Sequence, residues 1–208
     1  MKIRRMVLGP VETNCYIFCD EARGEAAVID PAADHRSIIR AAEEAGCEIV
    51  KIILTHGHYD HIGGLRGLLD ECKRAELYAH TKGAQVLGNM GISLCCEIGR
   101  KKETFVPDVT VSDGDVIPFG GSGFEVIYTP GHTIDSMCLK FENVVFCGDT
   151  VFRFSIGRTD LPTGDFNQEI KSIKTKILVL DDSTQLCPGH GEATTVGEER
   201  RYNPYLRD

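Results

Sequence analysis

The chain has 208 residues, of which 42% are hydrophobic and 26% are charged, and its formal net charge is −8. This composition is ordinary for a soluble globular protein, and the acidic balance argues against nucleic acid or an anionic membrane as the main partner, since both attract clustered Lys and Arg. The length allows a substantial buried core, and we expect one domain over residues 1–208.

The N-terminal segment MKIRRMVLGPVETN holds basic residues but no long apolar run, so we expect no secretory signal. No stretch approaches the roughly 18 apolar residues that a membrane span requires. The nine cysteines are odd in number and irregular in spacing, and no two form a C-x-x-C pair. We therefore expect reduced thiols in a cytoplasmic protein rather than a disulfide framework or a zinc ribbon.

The first predicted elements are three short β-rich segments, typical of an antiparallel start: IRRMVL, CYIFC and AAVID. A helix is predicted over 34–45, where Asp34 supplies the N-cap and Gly46 ends the helix. The segment EIVKIILT is apolar at nearly every position from 49 to 54, which indicates a strand that is buried on both faces.

The next helix has apolar residues at helical spacing, namely Ile62, Leu65, Leu68, Leu69 and Cys72. ELYAH is a predicted strand, and Thr81 begins a short predicted helix that ends at about Leu87. Residues 88–103 show little periodicity, so we expect an excursion over the surface there.

Five strands are predicted in the second half, at DVTV, DVIPF, FEVIYT, SMCLKF and NVVFCG. A helix over about 166–178 and a strand at TQLCP complete the chain. Two β-rich halves, each followed by strand–helix units, predict an α/β (α+β) fold in which two packed sheets carry helices outside. This arrangement is a four-layer αβ/βα sandwich.

The segment ILTHGHYDHIGGL, at 53–65, concentrates three histidines and an aspartate directly after a buried strand. His56 and His58 point the same way if the backbone is extended, and Asp60 and His61 follow where the second helix is predicted to begin. Neutral imidazole and carboxylate suit Zn²⁺, Fe²⁺ or Mn²⁺, and a buried carboxylate is costly without a compensating cation. The cluster predicts a metal site, with a polar turn as the alternative.

Three later segments share one pattern, in which an apolar strand and a tight turn precede a single ligand-type side chain. They are YTPGHTIDS with His132, VVFCGDT with Asp149 and QLCPGHGE with His190. Catalytic and binding residues usually lie on loops that a rigid sheet supports. The remaining histidines, His35 and His80, lack this context, and we expect them at the surface.

The motifs HGHYDH, GHT, GDT and PGHG, in this order, resemble the signature of the metallo-β-lactamase superfamily. Three further segments are similar to the short bacterial members of its glyoxalase II group, the hydroxyacylglutathione hydrolases: LGPVETNCYIF, SIGRTDLPTGD and GEERRYNPYL. The resemblance covers essentially the whole chain and implies the metallo-β-lactamase fold. It is less specific about activity, because this fold hosts many reactions.

The resemblance also implies a cofactor of two divalent metal ions, for which we expect zinc, with iron or manganese as alternatives. His56, His58 and His132 would bind one ion, Asp60, His61 and His190 would bind the other, and Asp149 would bridge both. The two ions would share a hydroxide that attacks a substrate carbonyl. Asp60 and Asp149 are the predicted catalytic residues, and Asp60 would also orient the hydroxide.

Asp30 and Thr55 are predicted to support the ligands; Asp30 would accept a hydrogen bond from a ligating imidazole, and a simple turn aspartate is the alternative. Arg158 lies where the resemblance places a basic residue that contacts glutathione. Arg153 is a second candidate, and a solvated surface arginine is the alternative for both. Only 18 residues follow His190, too few for the C-terminal helical region of the long family members. A thioester other than one of glutathione therefore stays open.

The sequence thus predicts a binuclear metallohydrolase of a small-molecule thioester, such as S-lactoylglutathione or another hydroxyacylglutathione. A mononuclear iron dioxygenase acting on a persulfide, also found in this superfamily, is the main alternative and would need one facial metal site. Hydrolysis of another ester or thioester is a further alternative. A β-lactamase is disfavoured because no export signal is visible, and a purely structural metal site is disfavoured because such sites are usually closed.

Overall fold

Two six-stranded sheets dominate the computed structural model, which describes residues 1–95 and 103–207. In spatial order, the first sheet contains β1 Lys2–Leu8, β2 Thr13–Asp20, β3 Glu25–Ile29, β4 Glu48–Ile53, β5 Glu76–His80 and β6 Val109–Val111. The second sheet contains β14 Thr194–Thr195, β13 Gln185–Pro188, β10 Val144–Gly148, β9 Met137–Phe141, β8 Ser122–Tyr128 and β7 Val116–Phe119. A separate two-stranded hairpin consists of β11 Val151–Phe152 and β12 Ser155–Ile156.

Five α-helices accompany the sheets in the described ranges: α1 His35–Glu43, α2 Leu65–Glu71, α3 Gly83–Leu87, α4 Phe166–Ser172 and α5 Val196–Tyr202. A π-helical turn, Ile173–Ile177, continues α4, so the helix predicted over 166–178 is present with a change of hydrogen bonding in its second half. None of these helices combines the length and the apolar character that a membrane crossing requires.

Three apolar clusters hold the layers together. Phe18, Phe124 and Phe146 lie between the two sheets, where Phe18 meets each of the other rings edge-on at centroid distances of 4.8 and 5.0 Å. A second cluster packs α1 and α2 against the outer face of the first sheet, and a third packs α4 and α5 against the outer face of the second. The order helix, sheet, sheet, helix confirms the predicted four-layer sandwich.

Strand direction brings particular strand ends to one edge. The pairs β1–β2 and β2–β3 are antiparallel, as predicted, whereas β3, β4, β5 and β6 are parallel. In the second sheet, β9 is antiparallel to both β8 and β10, and β10 is parallel to β13. The carboxyl ends of β8, β10 and β13 therefore lie at the same edge.

Two helix boundaries differ from the predictions. The first helix ends at Glu43, and a turn over 44–46 replaces the predicted last residues. The second helix begins at Leu65 rather than beside Asp60, because two glycines, the poorest helix formers after proline, precede it. The N–H of Gly64 donates to the carbonyl of Pro31 at 2.7 Å, which closes the loop before the helix.

Some predictions outside the metal motifs also need comment. The surface prediction for His80 is wrong, because the residue is 4% exposed and its ring stacks on Tyr128 with centroids 3.9 Å apart. His35 is partly exposed and contacts Glu71. Seven cysteines of the described ranges form no disulfide: Cys15, Cys19, Cys47, Cys72, Cys138, Cys147 and Cys187. The surface excursion predicted over 88–103 falls largely on residues 96–102, which lie outside the described ranges.

Candidate metal centre

The seven ligand-type side chains predicted from the sequence lie after four strands, at one edge of the sandwich. The loop after β4 supplies four of them, and the turns after β8, β10 and β13 supply one each: His56, His58, Asp60 and His61, then His132, Asp149 and His190. The two sheets are joined here, because the N–H of Met137 donates to the carbonyl of Thr55 at 2.9 Å. The sheets thus bring side chains that are far apart in sequence to one place.

The ligand-type atoms form two groups, and within each group they lie within 4.8 Å of one another. The first group is His56, His58 and His132, all buried; the second is Asp60, His61, Asp149 and His190, of which His61 is buried. These are the two sets that the motifs imply, with Asp149 falling in the second.

Asp149 lies between the two groups. Its Oδ1 is 3.2 Å from His61 Nε2, and neither atom has a hydrogen-bond partner among the described residues. Its Oδ2 is 3.7 Å from His132 Nε2 and 3.5 Å from His190 Nε2. One carboxylate therefore faces imidazoles of both groups, which is the position that a bridging ligand requires.

The residues present fit divalent metal ions. Four buried ligand-type atoms have no hydrogen-bond partner within the described residues: His56 Nε2, His58 Nε2, His61 Nε2 and Asp149 Oδ1. In addition, His58 Nδ1 lies 2.9 Å from His132 Nε2, so two ring nitrogens of the first group face each other. Buried polar atoms are normally bonded, and a concentration of unpaired nitrogen and oxygen atoms is what cation ligands present.

Electrostatics separate the two groups. Burial holds the pKa of His56 well below its ordinary value, and burial together with the neighbouring His132 lowers the pKa of His58 to about 3. Both imidazoles are therefore neutral at neutral pH, which is the form of histidine that coordinates a metal.

In the second group, opposite charges outweigh burial. Burial alone would raise the pKa of Asp149, but the His61 and His190 imidazoles hold it well below its ordinary value. Burial likewise opposes protonation of the imidazoles, yet the carboxylates raise the pKa of His61 well above its ordinary value and that of His190 to about 9. Protons on these imidazoles balance the carboxylates, and a divalent cation would replace them.

Asp30 and Thr55 lie directly behind the ligands. Asp30 Oδ2 is 2.8 Å from His61 Nδ1 and accepts from Thr55 Oγ1 at 2.7 Å, while Asp30 Oδ1 accepts from the Thr55 N–H at 2.8 Å. Asp30 therefore fixes the ring of His61 with Nε2 turned towards Asp149. The structure therefore places Asp30 and Thr55 behind the ligand-type side chains as hydrogen-bonding supports, and neither residue belongs to the two ligand groups.

Sequence reasoning missed the residues of β2 that hold the His190 turn. Asn14 Nδ2 donates to the carbonyls of Pro188 and Gly191 at 2.9 and 3.0 Å, and Tyr16 OH donates to Pro188 at 2.8 Å. All three bonds go to main-chain oxygens more than 170 residues away in sequence. No sequence motif indicates such contacts, because every residue type has a main-chain carbonyl that can accept them.

A cavity of about 490 Å³ opens in front of both ligand groups. Its wall is largely apolar, with contributions from Val11, Tyr59, Leu94, Phe152, Ile156 and Leu161. Arg158 also lines it, and its guanidinium donates two 2.8 Å hydrogen bonds to Asp160. Arg153 pairs with Glu192 at 2.5 Å and is not one of the lining residues. The structure thus brings one of the two predicted arginines to the cavity.

Comparison with known proteins agrees with the fold. A family described as "Metallo-beta-lactamase superfamily" matches residues 8–190. "Hydroxyacylglutathione hydrolase GloC" of Haemophilus influenzae is 33% identical over 99% of this chain and 98% of its own length. The structure of the BLEG-1 B3 metallo-beta-lactamase is 34% identical, with a TM-score of 0.91 and full coverage of both chains. TTHA1623 in a di-iron-bound form is 29% identical, with a TM-score of 0.86 over 98% of this chain and 100% of its own.

Proposed function

The chain belongs to the metallo-beta-lactamase superfamily, and we propose that it is a binuclear metallohydrolase whose substrate is a small thioester such as S-lactoylglutathione or another hydroxyacylglutathione. The observation that carries this proposal is the position of the Asp149 carboxylate. It lies between imidazoles of both ligand groups, at the floor of an open cavity. A site with only a structural role would be closed to solvent and to substrate.

His56, His58 and His132 would hold one ion, Asp60, His61 and His190 would hold the second, and Asp149 would contact both. Divalent ions bound in such a pair acidify a water and polarise the carbonyl that is attacked. We expect zinc, because imidazole and carboxylate ligands suit it, and the similarity to a protein with a di-iron form makes iron the first alternative.

Side chains of the protein itself would orient the water and bind the substrate. Asp60 Oδ2 accepts a hydrogen bond from His190 Nε2 at 3.1 Å and lies 3.4 Å from Thr13 Oγ1. The Asp60 carboxylate lines the cavity, where it would orient the attacking water beside the ion that it and His190 would hold. The apolar wall, which includes Phe152 and Leu161, would exclude bulk water from the scissile bond and bind the apolar parts of the substrate.

Two observations support a thioester. The relative GloC carries the name of a hydroxyacylglutathione hydrolase and aligns over nearly the whole chain. Arg158 lines the cavity, and its guanidinium would bind a substrate carboxylate while sharing its donors with Asp160. Arg153, which is paired with Glu192 away from the lining, contributes less to this proposal.

The similarity to BLEG-1 favours a second candidate, hydrolysis of a β-lactam amide. The same ligand set and the same apolar wall would serve that reaction. The two candidates differ in the leaving group, a thiol in one case and an amine that must be protonated in the other, so a direct comparison of substrates separates them.

The test is metal analysis of the purified protein together with an activity panel of S-lactoylglutathione, a neutral acyl thioester, a β-lactam and a persulfide with oxygen uptake. We expect two ions per chain and hydrolysis of a thioester. Asp149→Ala should lower the metal content and the hydrolysis together, whereas Asp70→Ala, at an exposed position of α2, should change neither. One iron per chain with oxygen uptake and no hydrolysis would overturn the proposal in favour of a persulfide dioxygenase.

A further inference from the structure

One face of α4, from its N-cap Asp165 to its last residue Ser172, contacts three consecutive residues of the turn that carries His132. The main-chain N–H of Asp165 donates to the carbonyl of Gly131 at 2.8 Å, and Ser172 Oγ donates to the carbonyl of Pro130 at 2.7 Å. Between them, Glu169 Oε2 accepts from the main-chain N–H of His132 at 2.8 Å. Positions 165, 169 and 172 lie on one face of the helix, so a single face holds the whole turn.

The close approach of α4 depends on Gly131. Its φ is +150°, and a Cβ at this position would lie 2.3 Å from both the Cα and Oε2 of Glu169. The turn and the helix are therefore in contact, with no room for a side chain at position 131. The Glu169 carboxyl reaches the His132 N–H because Gly131 has no side chain.

Glu169 is unusual in its surroundings. The residue is fully buried, and its Oε1 has no hydrogen-bond partner among the described residues. A buried carboxyl with one unpaired oxygen is costly to the folded state. An apolar side chain of similar size would avoid that cost, so the single hydrogen bond to His132 is the contribution that distinguishes glutamate at this position.

The imidazole of His132 is fixed from a second side, because its Nδ1 lies 2.7 Å from the carbonyl oxygen of Arg158. The carbonyl orients the ring, and Glu169 fixes the backbone from which the ring projects. With both held, Nε2 is directed at His58 Nδ1 and Asp149 Oδ2.

We propose that Glu169 is a positioning residue for His132, which it holds through the main-chain N–H so that the imidazole is presented to the first metal ion. This inference rests on the proposed role of His132 as a metal ligand. Glu169 touches neither the cavity nor the ligand nitrogen, so it acts only through the placement of His132.

The test compares three variants at position 169 with a control on the same helix. Glu169→Leu and Glu169→Met remove the acceptor, and Met is included because its unbranched side chain has the length of glutamate and adapts to irregular space. Glu169→Gln keeps an acceptor oxygen without a carboxylate. Asn167→Leu is the control, since Asn167 is exposed on the opposite face of α4.

Three quantities are measured: the thermal midpoint, the exchange rate of the His132 amide hydrogen in metal-free protein, and the dissociation constants for Zn²⁺. We expect Leu or Met to leave the midpoint unchanged or higher, to speed amide exchange, and to weaken the binding of one of the two ions about tenfold. We expect Gln and the control to stay close to wild type in all three.

Wild-type zinc affinity in both apolar variants would overturn the proposal, as would a Gln variant that loses as much affinity as Leu. If the wild-type protein binds no metal, the proposed function fails instead. The amide exchange of His132, measured without metal, still shows whether Glu169 holds that N–H: unchanged exchange in the Leu and Met variants would refute the positioning role independently.

Discussion

The Asp30 carboxylate accepts three hydrogen bonds directly behind the second ligand group. Its two oxygens receive Thr55 N–H, Thr55 Oγ1 and His61 Nδ1, all within 2.8 Å. Every one of these partners donates a hydrogen to Asp30, so the site requires two acceptor oxygens. An asparagine offers only one, and its NH₂ group would face a donor.

We therefore predict that Asp30→Asn weakens the binding of one metal ion by about 10- to 100-fold, the range typical for residues that hold a ligating histidine. Isothermal titration of the metal-free protein with Zn²⁺ measures this change. Asp70→Asn, which removes a carboxylate from an exposed position, is the matched control. Equal affinities in Asp30→Asn and wild type would show that His61 is held by its other contacts.

Asp135, which is not one of the predicted ligands, gives the folded protein a pH dependence. Burial raises the pKa of this carboxyl to about 6, the Thr133 hydroxyl and the Gly57 N–H oppose the shift, and the Asp30 carboxylate adds to it. The folded state therefore holds the proton more tightly than the unfolded state, and this contribution to stability is present below the unfolded pKa of 3.8 and is lost as the pH rises through about 6.

Asp135→Asn should remove this dependence. Since one pKa unit corresponds to about 1.4 kcal/mol, the free energy of unfolding of wild type should fall by about 3 kcal/mol relative to the variant between pH 4 and 7. Denaturant unfolding of both metal-free proteins across this range measures the difference. Parallel curves for the two proteins would contradict a buried, proton-holding Asp135.

At the level of strands and turns, the sequence predicts that the ligand-type side chains converge, because each lies in a loop or turn that follows an apolar strand. It does not predict the supports at Asn14 and Glu169, because their partners are main-chain atoms far away along the chain. The hairpin β11–β12 was missed because strands of two residues leave no periodicity. The helix α5 has few apolar residues, but Thr195 followed by Glu198 three residues later is a capping pattern that indicates where the helix begins.

The end of β10 contains a conformation that only glycine adopts easily. Gly148 has φ +48°, and a Cβ there would lie 2.3 Å from Thr55 Oγ1. Thr55 cannot move aside without losing its two hydrogen bonds to Asp30. The turn that delivers Asp149 therefore depends on the absence of a side chain at the preceding residue.

Gly148→Ala should cost about 1–3 kcal/mol of stability from backbone strain alone. A chain of this length loses about 2–4 °C in thermal midpoint for each kcal/mol. The metal content should fall as well, because Asp149 is displaced. Gly121→Ala is the matched control, since a Cβ at Gly121 has no neighbour within 4 Å in the described structure. Equal midpoints for the two variants would refute the steric argument.

For the whole molecule, the metal centre lies where the two sheets meet, and the ligands come from both. His56, His58, Asp60 and His61 follow a strand of the first sheet, whereas the other three follow strands of the second. Metal ions would therefore link the two sheets. The sheets also share the aromatic cluster around Phe18, so their association does not depend on metal alone. We propose from this shared core that residues 1–208 form one domain.

Chelation should then lower stability without unfolding the protein. A ligand at 100 times its dissociation constant stabilises the folded state by about 2.7 kcal/mol, so removing tightly bound ions should lower the thermal midpoint by several degrees while a single transition persists. Calorimetry with and without a chelator measures both features, and Asp149→Ala, which should hold little metal, serves as the insensitive control. Two separate transitions would contradict the single domain. Complete unfolding on chelation would mean that the aromatic core cannot hold the sheets together by itself.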